Sequence, residues 1–352
     1  MFGLFNKKTS IWLGVDIGSS SVKLVALKRE KRGMSVDSYA IVGLPNATVV
    51  DGRIQELGIV SSAIEKGVKI CGSKLNCAIT CVPSSAVIIK HLELSNAFSA
   101  AELEDQIKIE ADQFIPYPLD EVSIDFENQG VHPEKAELNK ILLVACRNND
   151  VMQREAAVNS AGLKCEVVDV DTFAIERAFS FIKQDEKADD LIASIDIGAS
   201  TMTLNVLQGN EIVYTREQGF GSNELTSSIH AQFGMSNEEI EQSFRLGEIS
   251  MEIETMLLEP FRDTIAQQIS RALQFYYSSN VSNQLSKIYI SGGCSGIKGL
   301  ADVLIEEVGI KVELANPFVN MDIHPKINKE RLVKDAPVLV KACGLALRFF
   351  DQ

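Results

Sequence analysis

One pattern occurs twice in this chain, and it limits the possible folds more than any other feature. Residues 11–27 read Ile-Trp-Leu-Gly-Val-Asp16-Ile17-Gly18-Ser19-Ser20-Ser21-Val-Lys23-Leu-Val-Ala-Leu, and residues 191–207 read Leu-Ile-Ala-Ser-Ile-Asp196-Ile197-Gly198-Ala199-Ser200-Thr201-Met-Thr-Leu-Asn-Val-Leu. Each copy is an apolar run, a D-I-G-x-S turn and a second apolar run, which predicts a β-hairpin opening each of two lobes. The length agrees, because 352 residues exceed the roughly 250–300 that one hydrophobic core sustains.

The residue types in the repeat suit a polyphosphate. Gly18 and Gly198 carry no Cβ, which lets a tight turn take positive φ and lets backbone N–H groups come close to an anion. Ser19, Ser20 and Ser21 in one copy, and Ser200 and Thr201 in the other, add hydroxyl donors at the same rim. Asp16 and Asp196, leaving their strands beside the turns, would face the phosphates from opposite lobes and hold Mg²⁺ through its water shell. A third element follows: a strand at Lys287–Ile290, the loop Ser291-Gly292-Gly293-Cys294-Ser295-Gly296, and a helical pattern with Leu300, Val303, Leu304 and Val308 on one face. A glycine loop entering a helix N-terminus permits close approach of a ribose or adenine and offers N–H donors.

Charge and cysteine content exclude several classes. A formal net charge of −14 argues against a nucleic-acid partner, whose affinity rests on Lys and Arg. The seven cysteines form no C-x-x-C pair and read as reduced thiols, and the four histidines give no ligand cluster. No run reaches the ~20 apolar residues of a membrane span, and the first residues lack the order of a signal peptide, so a cytoplasmic protein is expected.

The ordered trio of hairpin, hairpin and glycine loop resembles the phosphate-1, phosphate-2 and adenosine motifs of the actin, Hsp70 and sugar-kinase superfamily. Three further stretches are similar to the PilM family of type IV pilus assembly proteins. They are Glu110-Ala-Asp-Gln-Phe-Ile-Pro-Tyr-Pro-Leu-Asp-Glu-Val122, Leu143-Val-Ala-Cys-Arg-Asn-Asn-Asp-Val151, and Ala161-Gly-Leu163 leading into Val168-Asp169-Val-Asp171-Thr-Phe173-Ala174. The resemblance runs nearly end to end, with the cell-division protein FtsA as a relative less similar in the middle.

It implies an α/β, actin-like bilobal fold of duplicated ribonuclease-H-like domains with an FtsA-type 1C insert. Subdomain 1A would span residues 1–92, continued at 166–188 and by the C-terminal helix 336–350. The 1C insert would take 93–165, subdomain 2A 189–227 and 285–335, and subdomain 2B 228–284. The local patterns fit. Ser99 with Glu102, and Ser236 with Glu239, form capping boxes; Leu103, Ile107, Ala111 and Phe114 share a helix face; and strands alternate at 91–95, 122–126 and 141–145, followed by a helix after Asn149 that ends at Gly162, giving βαββα. Pro260 is expected to start a long helix with Phe261, Ile265, Ile269, Leu273 and Tyr276 in one stripe. The charged run 183–190 reads as a solvated lobe linker.

The cofactors implied are ATP and Mg²⁺. Carried over by motif, Gly18, Ser19, Ser20, Ser21, Lys23, Gly198, Ser200, Thr201, Gly292, Gly293, Ser295 and Gly296 would touch nucleotide, with Asp16 and Asp196 at the metal. The family's nucleotide-contacting helix reads A-E-x-x-K, whereas this chain has Ile240-Glu241-Gln242-Ser243-Phe244-Arg245, leaving Glu241 for the ribose and Arg245 in place of the Lys. Asp169 and Asp171 stand where relatives place the polar group that orients water, although capping the helix near Thr172 explains them equally well. Family members clamp a short N-terminal peptide of the membrane protein PilN between subdomains 1A and 1C, which assigns Phe114, Ile115, Tyr117 and Leu119 to a peptide groove. The partners implied are PilN, through it a PilN/PilO membrane complex, and pilus motor ATPases, with attachment to the inner face of the cytoplasmic membrane through them. A filament former of FtsA type and a sugar or acetate kinase of the same superfamily remain alternatives. The N-terminal Phe2, Leu4 and Phe5 read as a frayed end, with contact to a membrane or a neighbour as the alternative.

Overall fold

A computed structural model describes residues 11–31, 33–72, 75–183, 186–187, 190–279 and 284–350; the side chains of Glu238, Glu241, Arg245 and Leu246 lie outside that description, as do Phe2, Leu4 and Phe5. Two sheets dominate. The first has six strands in the order Lys164–Val170, Cys77–Val82, Trp12–Ile17, Ser21–Glu30, Gly33–Gly43 and Asp322–Ile323. The second has five in the order Glu211–Gly219, Thr201–Gln208, Leu191–Ile197, Leu285–Ser291 and Val312–Leu314.

The two sheets share one topology. In each, three consecutive strands form an antiparallel meander, and the first strand of the meander pairs in parallel with a strand that arrives by a helical crossover. A second parallel strand follows beyond it. Both repeats are thus the opening hairpins of duplicated units. Trp12–Ile17 and Leu191–Ile197 lie inside their sheets and are buried on both faces, which accounts for their almost unbroken apolar sequence.

Helices cover both sheets. Leu57–Cys71 and Asn148–Ser160 pack on one face of the first, where Val60, Ile64, Ala157 and Val158 join Leu13, Val15 and Leu24. Phe261, Ile265, Ile269, Leu273 and Tyr276 form a buried stripe against the second sheet. Between the sheets lie Asp171–Ile182 and the C-terminal helix Val340–Leu347. Ala174 and Leu345 pack on Ile79 of the first sheet, while Ile175, Phe179 and Val340 pack on Ile192 and Leu207 of the second.

A separate three-stranded sheet, Val87–Ser95, Lys135–Arg147 and Val122–His132, carries the helix Ala100–Phe114 on one face. Its Ser99–Glu102 capping box is formed, as is the one at Ser236–Glu239. The helix Asn148–Ser160, expected as the insert's last element, packs on the first sheet instead, because Ala157 and Val158 fill that core.

Two other expectations change. Pro260 does not begin the long helix: the chain is helical from Met251 and passes through a π-helical turn at Glu254–Leu258 before Glu259–Ser279. Proline has no N–H for the helical ladder, and the wide turn falls immediately ahead of that gap. The lobe linker is not solvated throughout. Glu186 is 7% exposed, and its carboxylate accepts from Lys287 Nζ and Tyr289 Oη, each at 2.6 Å. Among the described residues no helix is long and apolar enough to cross a membrane.

Candidate functional site

The two D-I-G-x-S turns meet across a cleft of about 670 Å³ between the sheets. Each turn is closed by the same bond: Gly18 N–H donates to Ser21 O at 3.1 Å, and Gly198 N–H to Thr201 O at 2.9 Å. Ser200 Oγ donates to Ser19 Oγ at 3.2 Å, so hydroxyls from the two lobes touch at the cleft's waist. Gly18, Ser19, Ser20, Ser21, Lys23, Gly198, Ser200, Thr201, Gly292 and Gly293 all line it, together with Asp16 and Asp196.

The glycines earn their places differently from the expectation. Neither Gly18 nor Gly198 has positive φ. Close approach is the constraint, since a Cβ at Gly18 would lie 2.9 Å from Lys23 Nζ and one at Gly198 3.2 Å from Thr201 O. The positive φ is at Gly292, +85°, where a Cβ would stand 2.4 Å from Ile197 O and 2.8 Å from Asp196 Oδ1. Gly292 therefore presses the third motif against the end of the second hairpin's first strand. Ser295 and Gly296 do not line the cleft. Ser295 is buried, and its hydroxyl donates to Gly292 O at 2.6 Å, bracing the loop from behind. The helix after the loop starts only at Leu300, so its N-terminus is not presented to the cleft as expected. Glu241 and Arg245 lie on the helix Asn237–Leu246, with side chains outside the described residues.

Carboxylates paired with two ammonium groups set the electrostatics at the paired turns. Lys23 Nζ is 3.3 Å from Asp16 Oδ2, and Lys341 Nζ is 2.9 Å from Asp196 Oδ2. Burial opposes the charge of Asp196, but the Lys341 ammonium outweighs it and holds this carboxyl below its ordinary value. Lys341 itself is held well above its usual value, because Asp196, Asp16 and Asp171 together overcome its burial. Asp171 and Glu217 line the same cleft, and burial raises both carboxyls.

The two candidate water-orienting residues separate. Asp171 reaches the cleft, where its Oδ1 accepts from Ser84 N–H at 2.9 Å. Asp169 turns away to Arg177 at 2.7 Å and to its neighbour's N–H. Neither caps the helix Asp171–Ile182, whose N-cap is Val170. Lys341, Glu217 and Arg154 line the cleft unforeseen. Arg154 is buried and donates to Ile17 O at 3.0 Å and to Gly52 O, clamping the first hairpin's end. Lys341 had a readable signal: it is the one charged residue between Val338 and Leu347.

These groups fit a metal–polyphosphate. The hydroxyl and glycine rim supplies donors, Lys23 and Lys341 supply cations, and Asp16 and Asp196 stand at the ends of paired strands. Among the described residues no group of three His, Cys, Asp or Glu forms a metal cage, so Mg²⁺ here would need phosphate oxygens and water to complete its shell.

The four residues expected to line a peptide groove pack against a local core. Ile115 is 6% exposed and belongs to the insert's own core with Ile107, Ala111, Ile141 and Leu143. Phe114, Tyr117 and Leu119 are half-buried on that core, with the Arg147 guanidinium 4.0 Å from the Tyr117 ring. An apolar cluster of Val82, Cys146 and Val170, with the half-buried Val87, Val144, Val168 and Phe173, joins the insert to the first sheet.

The family model of type IV pilus assembly protein PilM matches residues 14–350. A solved PilM-PilN type IV pilus biogenesis complex superposes with a TM-score of 0.78 at 25% identity, covering 96% of this chain and 98% of that one. The ethanolamine utilization protein EutJ from Carboxydothermus hydrogenoformans shares the fold, with a TM-score of 0.57 at 16% identity over 96% of this chain and 89% of its own. Cell division protein FtsA of Escherichia coli strain K12 is 21% identical over 341 residues, covering 82% of this chain and 80% of FtsA.

Proposed function

The chain belongs to the PilM family of type IV pilus assembly proteins, and from that premise we propose that it is an ATP-binding scaffold whose nucleotide fastens two lobes together while the insert side receives the cytoplasmic peptide of a PilN-type partner. The observation that carries the nucleotide half is the meeting of the paired turns, with Ser19 and Ser200 in direct contact across the cleft. Mg-ATP would lie along that contact with phosphates on both hairpins, its metal between Asp16 and Asp196. The base and ribose would lie toward Gly292 and Gly293.

The partner half rests on the solved PilM-PilN complex. An extended apolar peptide fits the junction where Val87, Val144, Val168 and Phe173 remain half-buried, with Phe114, Tyr117 and Leu119 on its insert flank and Ile115 as support beneath. Through such a partner the protein would sit at the inner face of the cytoplasmic membrane, within a PilN/PilO complex and within reach of pilus motor ATPases. Asp171, which lines the cleft, would be the residue to orient water; it shares its hydrogen bonding with Ser84, and slow ATP turnover is expected.

Thermal melting with Mg-ATP tests the nucleotide half. A ligand at a hundredfold excess over Kd stabilises by about 2.7 kcal/mol, so the wild-type transition should rise by several degrees. A Cβ at Gly293 meets nothing within 4 Å in the protein, so Gly293→Val should fold normally yet fill the cleft and abolish the rise. An unmoved wild-type transition in millimolar Mg-ATP rejects the reading.

A further inference from the structure

Lys341 is carried by the helix that packs between the sheets, and that helix is fixed by backbone contact on two sides. A Cβ at Gly14 of the first sheet would lie 2.1 Å from Ala342 O, and a Cβ at Gly344 would lie 1.7 Å from Ala174 O. The helix cannot slide along either neighbour without separating them, so the root of Lys341 is fixed relative to the cleft. From there its ammonium reaches Asp196 Oδ2 at 2.9 Å and is also attracted by Asp16 and Asp171.

Two other cations that line the cleft have prior partners. Lys23 pairs with Asp16, on its own hairpin, and Arg154 is turned to the carbonyls of Ile17 and Gly52. Lys23 also acts on Asp196 from the first lobe, but of these three cations only Lys341 is in ion-pair contact with the second lobe's carboxylate. A divalent cation drawn to Asp196 must therefore compete with a tethered ammonium for the same oxygens. A polyphosphate changes the balance, because its oxygens offer that ammonium a new anionic partner and supply the metal with ligands that the protein carboxylates do not complete.

We propose that Lys341 is the residue that makes the cleft accept a divalent cation only together with a polyphosphate, by standing as a tethered counter-ion at Asp196 that excludes the free metal. This rests on the nucleotide reading above. It assigns Lys341 a specificity role: metal and polyphosphate each improve the other's binding because each relieves the other's unpaired charge.

The test uses the full chain as wild type, Lys341→Met, Lys341→Gln and Lys341→Arg, with calorimetry and melting in MgCl₂ alone, in ATP with chelator, and in Mg-ATP. Wild type and Lys341→Arg should bind free Mg²⁺ more weakly than about 1 mM. The two neutral variants should bind free Mg²⁺ on the order of tenfold more tightly, gain a Mg²⁺-dependent melting rise without nucleotide, and lose about tenfold in metal-free ATP affinity. Lys341→Gln keeps a donor toward Asp196 and loses only the charge, so it carries the comparison if Lys341→Met does not fold. A purely structural ion pair would lower stability and leave free Mg²⁺ affinity the same in all four proteins, which overturns the proposal. Micromolar binding of free Mg²⁺ by the wild type overturns it without any variant. Wild type that binds no Mg-ATP fails the nucleotide reading instead, a result distinct from unchanged Mg²⁺ affinity in variants that bind Mg-ATP normally.

Discussion

Single side chains show most clearly where linear sequence stops being informative. Gly18, Gly198 and the serines after them are readable because the turn that needs them is local, and both turns close with the same bond. Lys341 and Asp196 are 145 positions apart, and nothing local says that the lone Lys of an apolar helix ends at the tip of a distant strand. Glu186 is a second case. Within a charged run it reads as solvated, yet burial and two donors act on it together: burial pushes its carboxyl up, and Lys287 and Tyr289 outweigh that and hold it at about 2. A folded-state value below the unfolded one, near 4.5, means that the unfolded chain binds the extra proton. The pair therefore stabilises fully above about pH 5, and that contribution fades as pH falls from 4.5 toward 2. Glu186→Gln should cost roughly 2 kcal/mol at pH 7 and progressively less in acid, so urea denaturation curves of the two proteins should converge toward pH 2. A constant gap across that range would show that the pair contributes by packing alone.

At the level of elements, patterns within one helix or strand were legible, and contacts made through missing atoms were not. The capping boxes at Ser99 and Ser236 and the stripe from Phe261 to Tyr276 follow from spacing alone. Ile115 was expected at a groove and is buried in a local core, because an apolar residue just before a proline reads the same whether it faces a partner or the sheet beside it. Gly344 gave no sign at all: its role is to let Val340–Leu347 touch the backbone of Asp171–Ile182, a contact defined by an absent side chain. Gly344→Ala should therefore destabilise the protein by about 3 kcal/mol. Gly296→Ala, where a Cβ meets nothing within 4 Å, should be close to neutral. Chemical denaturation of both variants checks the contrast, and equal midpoints would mean that the helix pair relaxes apart freely.

For the molecule as a whole, the duplication was legible and the manner of joining was not. Both five-strand cores repeat one strand order, as a repeated hairpin predicts. What joins them is the two-helix layer and the cleft above it, and both arise from contacts distant in sequence. If nucleotide favours the approach of the lobes, and the junction at Val82, Cys146 and Val170 is set by the first sheet, then the two sites are linked. A synthetic PilN-type N-terminal peptide should bind with micromolar affinity, about −8.2 kcal/mol, and more tightly in Mg-ATP. Tyr117→Ala should weaken the peptide and leave the Mg-ATP melting rise intact. Calorimetric titrations with and without nucleotide decide it: no peptide binding in either state removes the partner half, and equal binding in both removes only the linkage.

The first sheet's second face is covered by Leu339, Ala342, Cys343 and Ala346, which pack on Val25, Leu27 and Val36. During synthesis the strands of that sheet up to Val170 leave the ribosome about 170 residues before their cover, a wait of roughly ten to thirty seconds at about 5–20 residues per second. The second sheet, whose strands run from Leu191 to Leu314, is contiguous in the chain and has its main core in place earlier. The lobe made first is thus completed last, and for that interval a nascent chain presents Val25, Leu27 and Val36 to whatever chaperone waits at the tunnel exit.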